Sequence, residues 1–220
     1  QLVKKGETIR LFARNGADWS KRFPSLVATA RGLRAPSAVL DGEVVAFCER
    51  GVPDFAELSR CLAEGCDAPL AFIAFDILQT NGVDVRRRPL VARKALLAKA
   101  LDALDPNGRI RPAPFVVGEG RRLLEHIAAI GGEGVVAKQA GSIYRSGRSL
   151  AWRKLGIASQ ADVVVVGYMP SRRSRSFASL LIASREAKGL VFRGRVARGF
   201  TTGADTELTA RLAHLAADAE

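Results

Sequence analysis

The sequence predicts an α+β fold in its first part and β structure in its second, with the change near residue 157. Three observations predict it. Glycine-bounded runs of apolar and β-branched residues alternate with amphipathic helical runs up to about residue 155. Beyond Trp152, three strand-like stretches follow one another with only turn residues between them. A 220-residue chain that is 48% hydrophobic also has enough apolar surface for a genuine core.

In chain order, residues 8–13 and 38–47 read as strands, the second carrying Asp41 and Glu43, and residues 70–78 read as a third, buried strand. Between them Asp54 is placed to cap a helix whose Phe55, Leu58 and Leu62 share a face, and Gly65 to end it. Residues 89–104 repeat apolar side chains at helical spacing behind a proline suited to a first turn. Leu123, Leu124, Ile127 and Ile130 mark a further helix. The stretch 133–138 reads as a buried strand with a charge at each end, Glu133 and Lys138. Residues 163–168, 177–184 and 190–197 are then strands, and 205–218 a closing helix. The expected domains are 1–157 and 158–220.

Lysine and arginine number 34 against 22 acids, a formal charge of +12, so a polyanion is the expected partner and nucleic acid the favoured one. A general bias towards arginine is the competing explanation of that charge. Cys48, Cys61 and Cys66 are odd in number and lack nearby histidines, which argues against a disulfide framework and a zinc site. No apolar run approaches the roughly 18 residues of a membrane helix, and the first residues lack a secretory pattern. A cytoplasmic, nucleoid-associated protein is the expectation.

The segments that carry chemistry occur in a definite order: Arg14-Asn15-Gly16-Ala17-Asp18-Trp19 with Arg22-Phe23-Pro24, Leu40-Asp41-Gly42-Glu43, Ala74-Phe75-Asp76-Ile77-Leu78, Glu133-Gly134-Val135-Val136-Ala137-Lys138, Trp152-Arg153-Lys154, and Gly199-Phe200-Thr201. In that order they resemble ATP-dependent DNA ligases, and specifically the ligase domain of the bacterial ligase D type that acts in non-homologous end joining. The resemblance covers nearly the whole chain. It implies a nucleotidyltransferase (adenylation) domain of antiparallel sheets and helices, followed by part of an OB-fold barrel, with ATP and a divalent metal, magnesium or manganese, as cofactors. Nicked or broken duplex DNA is the implied partner, together with end-joining proteins or fused domains.

The family's nucleophile is a lysine in Lys-x-Asp-Gly, and none of the eight lysines here begins that motif. Lys4 and Lys5 run into Gly6-Glu7, which looks like the hairpin just after it. The expectation is therefore a fragment truncated at both ends that does not adenylylate itself. The alternative is a non-catalytic nucleic-acid-binding remnant with a vestigial nucleotide pocket; an RNA ligase or capping-type enzyme shares the chemistry, but the Arg14–Trp19 stretch looks specific to the ligase D group.

Nucleotidyl transfer needs cations around the α-phosphate and a metal on the triphosphate. By resemblance Glu43 lies near the ribose and the reacting centre and Glu133 near the metal, both as metal ligands. Read without the other motifs, Glu43 closes a strand and Glu133 follows the Gly131-Gly132 turn. Lys138 and Lys154 are implied to face the phosphates, Phe75 to stack on adenine, and Arg14 to bind the ribose or a 5′-phosphate. Bland readings are a solvated lysine, a core phenylalanine and a surface ion pair. The family pattern Trp-x-Lys-x-Lys has Gly156 here in place of its second lysine. Arg172, Arg173 and Arg175 in a serine-rich loop, with Arg193, Arg195 and Arg198 alternating along a strand, form the expected track for a DNA backbone. His126 and His214 are assigned no catalytic part.

Overall fold

The computed structural model describes residues 1–49, 51–66, 70–157, 160–171 and 177–215. The chain divides into two compact units, Gln1–Ala158 and Ser159–Glu220.

In the first unit, β1 (Leu2–Lys5) and β2 (Thr8–Leu11) form a hairpin that pairs Lys5 with Thr8 and turns on Gly6 and Glu7, with Gly6 at φ 56°. This is the hairpin that Gly6-Glu7 suggests. β1 also pairs with β3 (Ser37–Ala46), β3 with β4 (Leu70–Thr80), and β4 with the short β5 (Val83–Asp84), all antiparallel. The turn into β5 is Asn81-Gly82, with φ of 50° and 79°, the left-handed pair a tight two-residue hairpin requires. One later strand, β6 (Ile110–Pro112), runs parallel beside β4 and completes a six-stranded sheet.

Three α-helices pack on this sheet, α1 (Pro24–Ala30), α2 (Phe55–Glu64) and α3 (Leu90–Leu101), and a fourth, α4 (Gly120–Ala129), packs on the strand that follows it. The side chain of Asp54 accepts from the amides of Ala56 and Glu57, and Gly65 ends α2 at φ 72°, as the sequence indicates. The helix expected over 89–104 is α3, which stops at Leu101. Leu2, Leu26, Leu40, Phe72, Ile77 and Leu97 lie in one buried core drawn from β1, α1, β3, β4 and α3.

Two local irregularities shape what sits above that core. Asp41 opposes Asp76 while Gly42 opposes Ala74, so Phe75 is the extra residue of a bulge in β4. Core side chains fall at Leu70, Phe72 and Ala74 before it and at Ile77 after it, so the bulge absorbs a change of face and releases Phe75 from the core. Gly42 is needed opposite that point: a Cβ there would lie 2.5 Å from the Phe72 ring and 2.6 Å from the carbonyl oxygen of Ile73.

Asp76 and Arg93 are both fully buried and pair through two bonds, Nε to Oδ1 at 2.8 Å and Nη2 to Oδ2 at 2.9 Å. Arg93 occupies a stripe position of α3 otherwise filled by Leu90, Leu97, Ala100 and Leu101. Its remaining nitrogen, Nη1, donates to the carbonyl oxygens of Arg88 and of Ser142, the latter at 2.9 Å. One guanidinium thus joins α3, β4 and two loops.

After α4 come β7 (Gly134–Lys138) and β8 (Trp152–Gly156), an antiparallel ribbon in which Val136 opposes Lys154 and Lys138 opposes Trp152. The 133–138 strand is present but is not buried as expected: Val136 is 52% exposed and Leu155 43%. A two-stranded ribbon covers only part of its surface. Gly134 sits at φ 142° where a Cβ would lie 2.1 Å from the carbonyl oxygen of Leu155, so the glycine of Glu133-Gly134 is a condition of the pairing.

The second unit contains β9 (Val164–Pro170), β10 (Phe177–Glu186) and β11 (Gly189–Val196) as an antiparallel sheet in the order β11-β10-β9, then α5 (Thr202–Leu215). Among its described residues Phe177, Leu180 and Ala183 are the buried apolar ones, and Phe200 of the Gly199-Phe200-Thr201 segment packs edge-on against Phe177 at 5.3 Å. Among the described residues this unit has three strands, against five in a complete OB-fold.

Removing one member of a buried ion pair strands the other, at a cost of about 3–5 kcal/mol. Arg93→Leu is therefore expected to lower unfolding stability by about that much in urea titration, with the double change Arg93→Leu/Asp76→Leu costing less than the sum of the two single changes. Additive losses contradict the pairing.

Candidate nucleotide site

Lys138 ends β7 and Trp152 begins β8, directly opposite on the ribbon, so both side chains leave the same face. The Lys138 ammonium sits 3.6 Å from the centroid of Trp152 and 4.2 Å from that of Phe75, the residue the bulge turns out of the core. The Phe75 and Trp152 rings meet edge-on at 5.8 Å, and Tyr144 meets Trp152 in the same way at 5.9 Å. Two rings therefore flank one cation, with Tyr144 packed against the second of them, and each ring close to the ammonium stabilises the charge by about 0.5–2 kcal/mol.

The Tyr144 hydroxyl donates to Asp41 Oδ2 at 2.6 Å, tying the loop after β7 to β3. Asp41 and Glu43 stand two apart on β3, facing away from the core that Leu40 and Ala46 enter. Desolvation first, and the Asp41 bond second, push the Tyr144 hydroxyl well above the usual tyrosine range, which keeps it a hydrogen-bond donor.

The electrostatics favour an incoming anion. Burial first, and the charge of Lys94 on α3 second, lower Lys138 to about 8, while Asp76, Asp41 and Glu43 act in the opposite direction. Burial also lowers Lys94, whose ammonium lies 4.7 Å from the Phe115 ring. Among the described residues neither lysine forms an ion pair with a carboxylate. A phosphate would relieve both the desolvation and the repulsion.

The expected site residues divide. Phe75 and Lys138 are in contact, and Glu43 is near enough to act on Lys138. Lys154 and Glu133 lie further along the ribbon, 3.6 Å apart and mostly exposed, at 69% and 81%. Gly156, opposite Gly134, has open space on its side-chain face, with the nearest atom to a built Cβ at 3.9 Å. Arg14 lies in the exposed loop after β2, closed by Ala13 and Ala17, and makes no ion pair among the described residues. Among the described residues no three His, Cys, Asp or Glu side chains cluster as a metal cage. A magnesium-type ion is held by one or two carboxylates and mainly by substrate phosphates, so it needs no such cage.

Arg172, Arg173 and Arg175 lie outside the described residues. The single-face arginine row expected on the last strand is interrupted: β11 opposes Gly194 to Ile182 and Phe192 to Ala183, so Arg193 is the extra residue of a bulge. Its side chain turns to Ser184 Oγ at 2.7 Å and to Glu186, whereas Arg195 opposes Leu181 on the other face.

Sequence reasoning gave no role to Tyr144, Lys94 or Arg93. The signal for Arg93 was an arginine inside an apolar helical stripe. Tyr144 and Lys94 carry no local signal, because their partners are far away in the chain.

Comparison with known proteins decides the family. A family model described as "ATP dependent DNA ligase domain" matches residues 1–155. The chain belongs to the ATP-dependent DNA ligase family. It is similar to the multifunctional non-homologous end joining protein LigD of Pseudomonas aeruginosa, 34% identical over 212 residues, which cover 94% of this chain and 25% of that protein. A probable DNA ligase of Anaeromyxobacter dehalogenans is 33% identical over 98% of this chain and 44% of its own length. The chain thus spans between a quarter and a half of these relatives. A solved mycobacterial DNA ligase D complexed with ATP and MES superposes with TM-score 0.65 at 29% identity, covering 97% of this chain and 67% of that one. Among the described residues no helix is long and apolar enough to cross a membrane.

Within this ligase-family fold, the ¹³Cε resonance of Lys138 is expected to titrate with a midpoint at about 8. The folded value lies below the ordinary 10.5, so between the two the unfolded chain binds more protons and stability rises with pH. Lys138→Met is expected to flatten that rise. A midpoint at 10.5 contradicts the described packing.

Proposed function

We propose that the chain is the nucleotide-binding and DNA-contacting part of an ATP-dependent ligase that seals breaks in duplex DNA during end joining. The observation that carries this reading is the Lys138 ammonium, held on the faces of Phe75 and Trp152 with no carboxylate partner among the described residues. Adenine takes the face of Phe75 that Lys138 covers, and the displaced ammonium passes to the phosphates. Lys154 follows on the same face of the ribbon and leaves Glu133 for the phosphate chain. Glu43 and Glu133 would hold the divalent metal, magnesium or manganese, which would neutralise charge on the triphosphate. Arg14 takes the ribose or a 5′-phosphate.

In this reading residues 1–157 form the adenylation domain and 158–220 part of an OB-fold. Arg195 and the arginines 172, 173 and 175 track the DNA backbone, and Arg193 joins them on leaving Glu186. AMP passes from ATP to an enzyme lysine with release of pyrophosphate, then to the DNA 5′-phosphate as the lysine leaves, and the 3′-hydroxyl attacks that phosphate and displaces AMP. The lysine that accepts AMP belongs to a Lys-x-Asp-Gly motif, which does not occur in these 220 residues. The relatives named as multifunctional support further domains or end-joining proteins as partners. A second reading, a non-catalytic nucleic-acid binder with a vestigial pocket, rests on Gly156, where the family pattern has a lysine.

Calorimetric titration with magnesium and ATP tests the pocket. Phe75→Ala and Lys138→Met are each expected to weaken binding about tenfold or more, since stacking on a base and a charged hydrogen bond contribute about 1–3 kcal/mol each. Gly156→Lys, which the open space accommodates, is expected to tighten it. Unchanged affinity in all three variants contradicts the assignment. ATP labelled at the α-phosphate, given to the protein extended upstream of Gln1, separates the two readings: label retained through denaturation marks a ligase, and its absence a vestigial pocket.

A further inference from the structure

Two loops beside the aromatic cluster carry arginines that no part of the nucleotide site uses. One is the turn after β5 with Arg86, Arg87 and Arg88; the other follows β7 and holds Arg145 and Arg148. They are joined by backbone: the Tyr144 amide donates to the Arg86 carbonyl oxygen at 2.8 Å, and Arg93 Nη1 donates to the carbonyl oxygens of Arg88 and Ser142. Neither loop contains an acid, and Asp84, which ends β5 just before the first of them, is occupied by Arg86, whose Nη2 lies 2.7 Å from Oδ2. That ion pair holds the Asp84 carboxyl at about 2. Arg87, Arg88, Arg145 and Arg148 are all exposed, and none forms an ion pair among the described residues.

Bringing four like charges into two riveted loops raises the energy of the free protein, and a multivalent anion relieves it. We propose that these four arginines form a docking surface for the phosphodiester backbone of duplex DNA, set at the rim of the nucleotide pocket. Arg145 is the residue next to Tyr144, whose ring touches Trp152, so a strand held here runs alongside the aromatic cluster. Guanidinium forks suit phosphate oxygens, and the contacts read no sequence. The proposal rests on the ligase reading for the identity of the polyanion, and extends it to residues of the first unit that the sequence motifs do not include.

The test is fluorescence anisotropy of this chain with labelled nicked duplex over a series of salt concentrations. Arg145→Gln/Arg148→Gln and Arg87→Gln/Arg88→Gln are compared with a control of equal charge, Arg121→Gln/Arg122→Gln on α4. Each phosphate contact contributes about 0.9 to the slope of log K against log salt, so either loop variant is expected to lower the slope by about 2 while the control leaves it nearly unchanged. Equal losses in loop variants and control, or no loss in the loop variants, overturn the surface. So does failure of the unaltered chain to bind duplex at low salt. ATP titration of the same samples reads the pocket separately: retained ATP binding with an unaltered salt slope removes this surface and leaves the nucleotide assignment standing.

Discussion

The buried pair of Asp76 and Arg93 is the interaction on which the site depends. Asp76 follows Phe75 in the β4 bulge, so anchoring its carboxylate fixes the backbone that presents the aromatic ring. Arg93 uses its remaining nitrogen on two loop carbonyls and thereby places Tyr144 beside Trp152. Two charges without solvent are tolerated only when their hydrogen-bonding groups are satisfied, and here one guanidinium meets a bidentate carboxylate and two carbonyl oxygens. The same contacts that permit its burial assemble the pocket.

Around that anchor, the site is built from groups whose mutual cost a ligand removes. Lys138 is partly desolvated against aromatic faces and repelled by Lys94, while Tyr144 engages Asp41 by hydrogen bonding. A cation held by rings alone is a weakly satisfied cation, and it exchanges those rings for phosphate oxygens at little loss. The glycines have a matching role. Gly42 lets Phe72 approach β3, and Gly134 lets β7 pair with Leu155 of β8, so each motif glycine sets a distance on which neighbouring functional side chains depend.

Much of the fold was legible because it rests on local rules. Asp54 and Gly65 bound α2 where capping chemistry places them, and the strands carrying Glu43 and Phe75 have the apolar pattern of sheet interiors. Asn81-Gly82 was an equally local signal for the β4–β5 hairpin that went unused. Ribbon exposure was misjudged because an apolar run looks alike in a central strand and in a two-stranded pair. Phe75 and Lys138 were singled out through motifs, and the fold brings them into contact. Tyr144, Lys94 and Arg93 act through partners distant in sequence: Tyr144 reaches Asp41 across 103 positions. The arginine row of β11 failed for a related reason, since a bulge at Arg193 breaks the alternation from which a single face was inferred.

The central claim is that ATP enters the cluster of Phe75, Lys138 and Trp152. The chain has two tryptophans, so Trp19→Phe leaves Trp152 as the reporter inside that cluster. Its fluorescence should change saturably as magnesium and ATP are added, and lose the response when Lys138→Met is introduced. An emission that stays constant through millimolar ATP, in a protein that remains folded, contradicts the account.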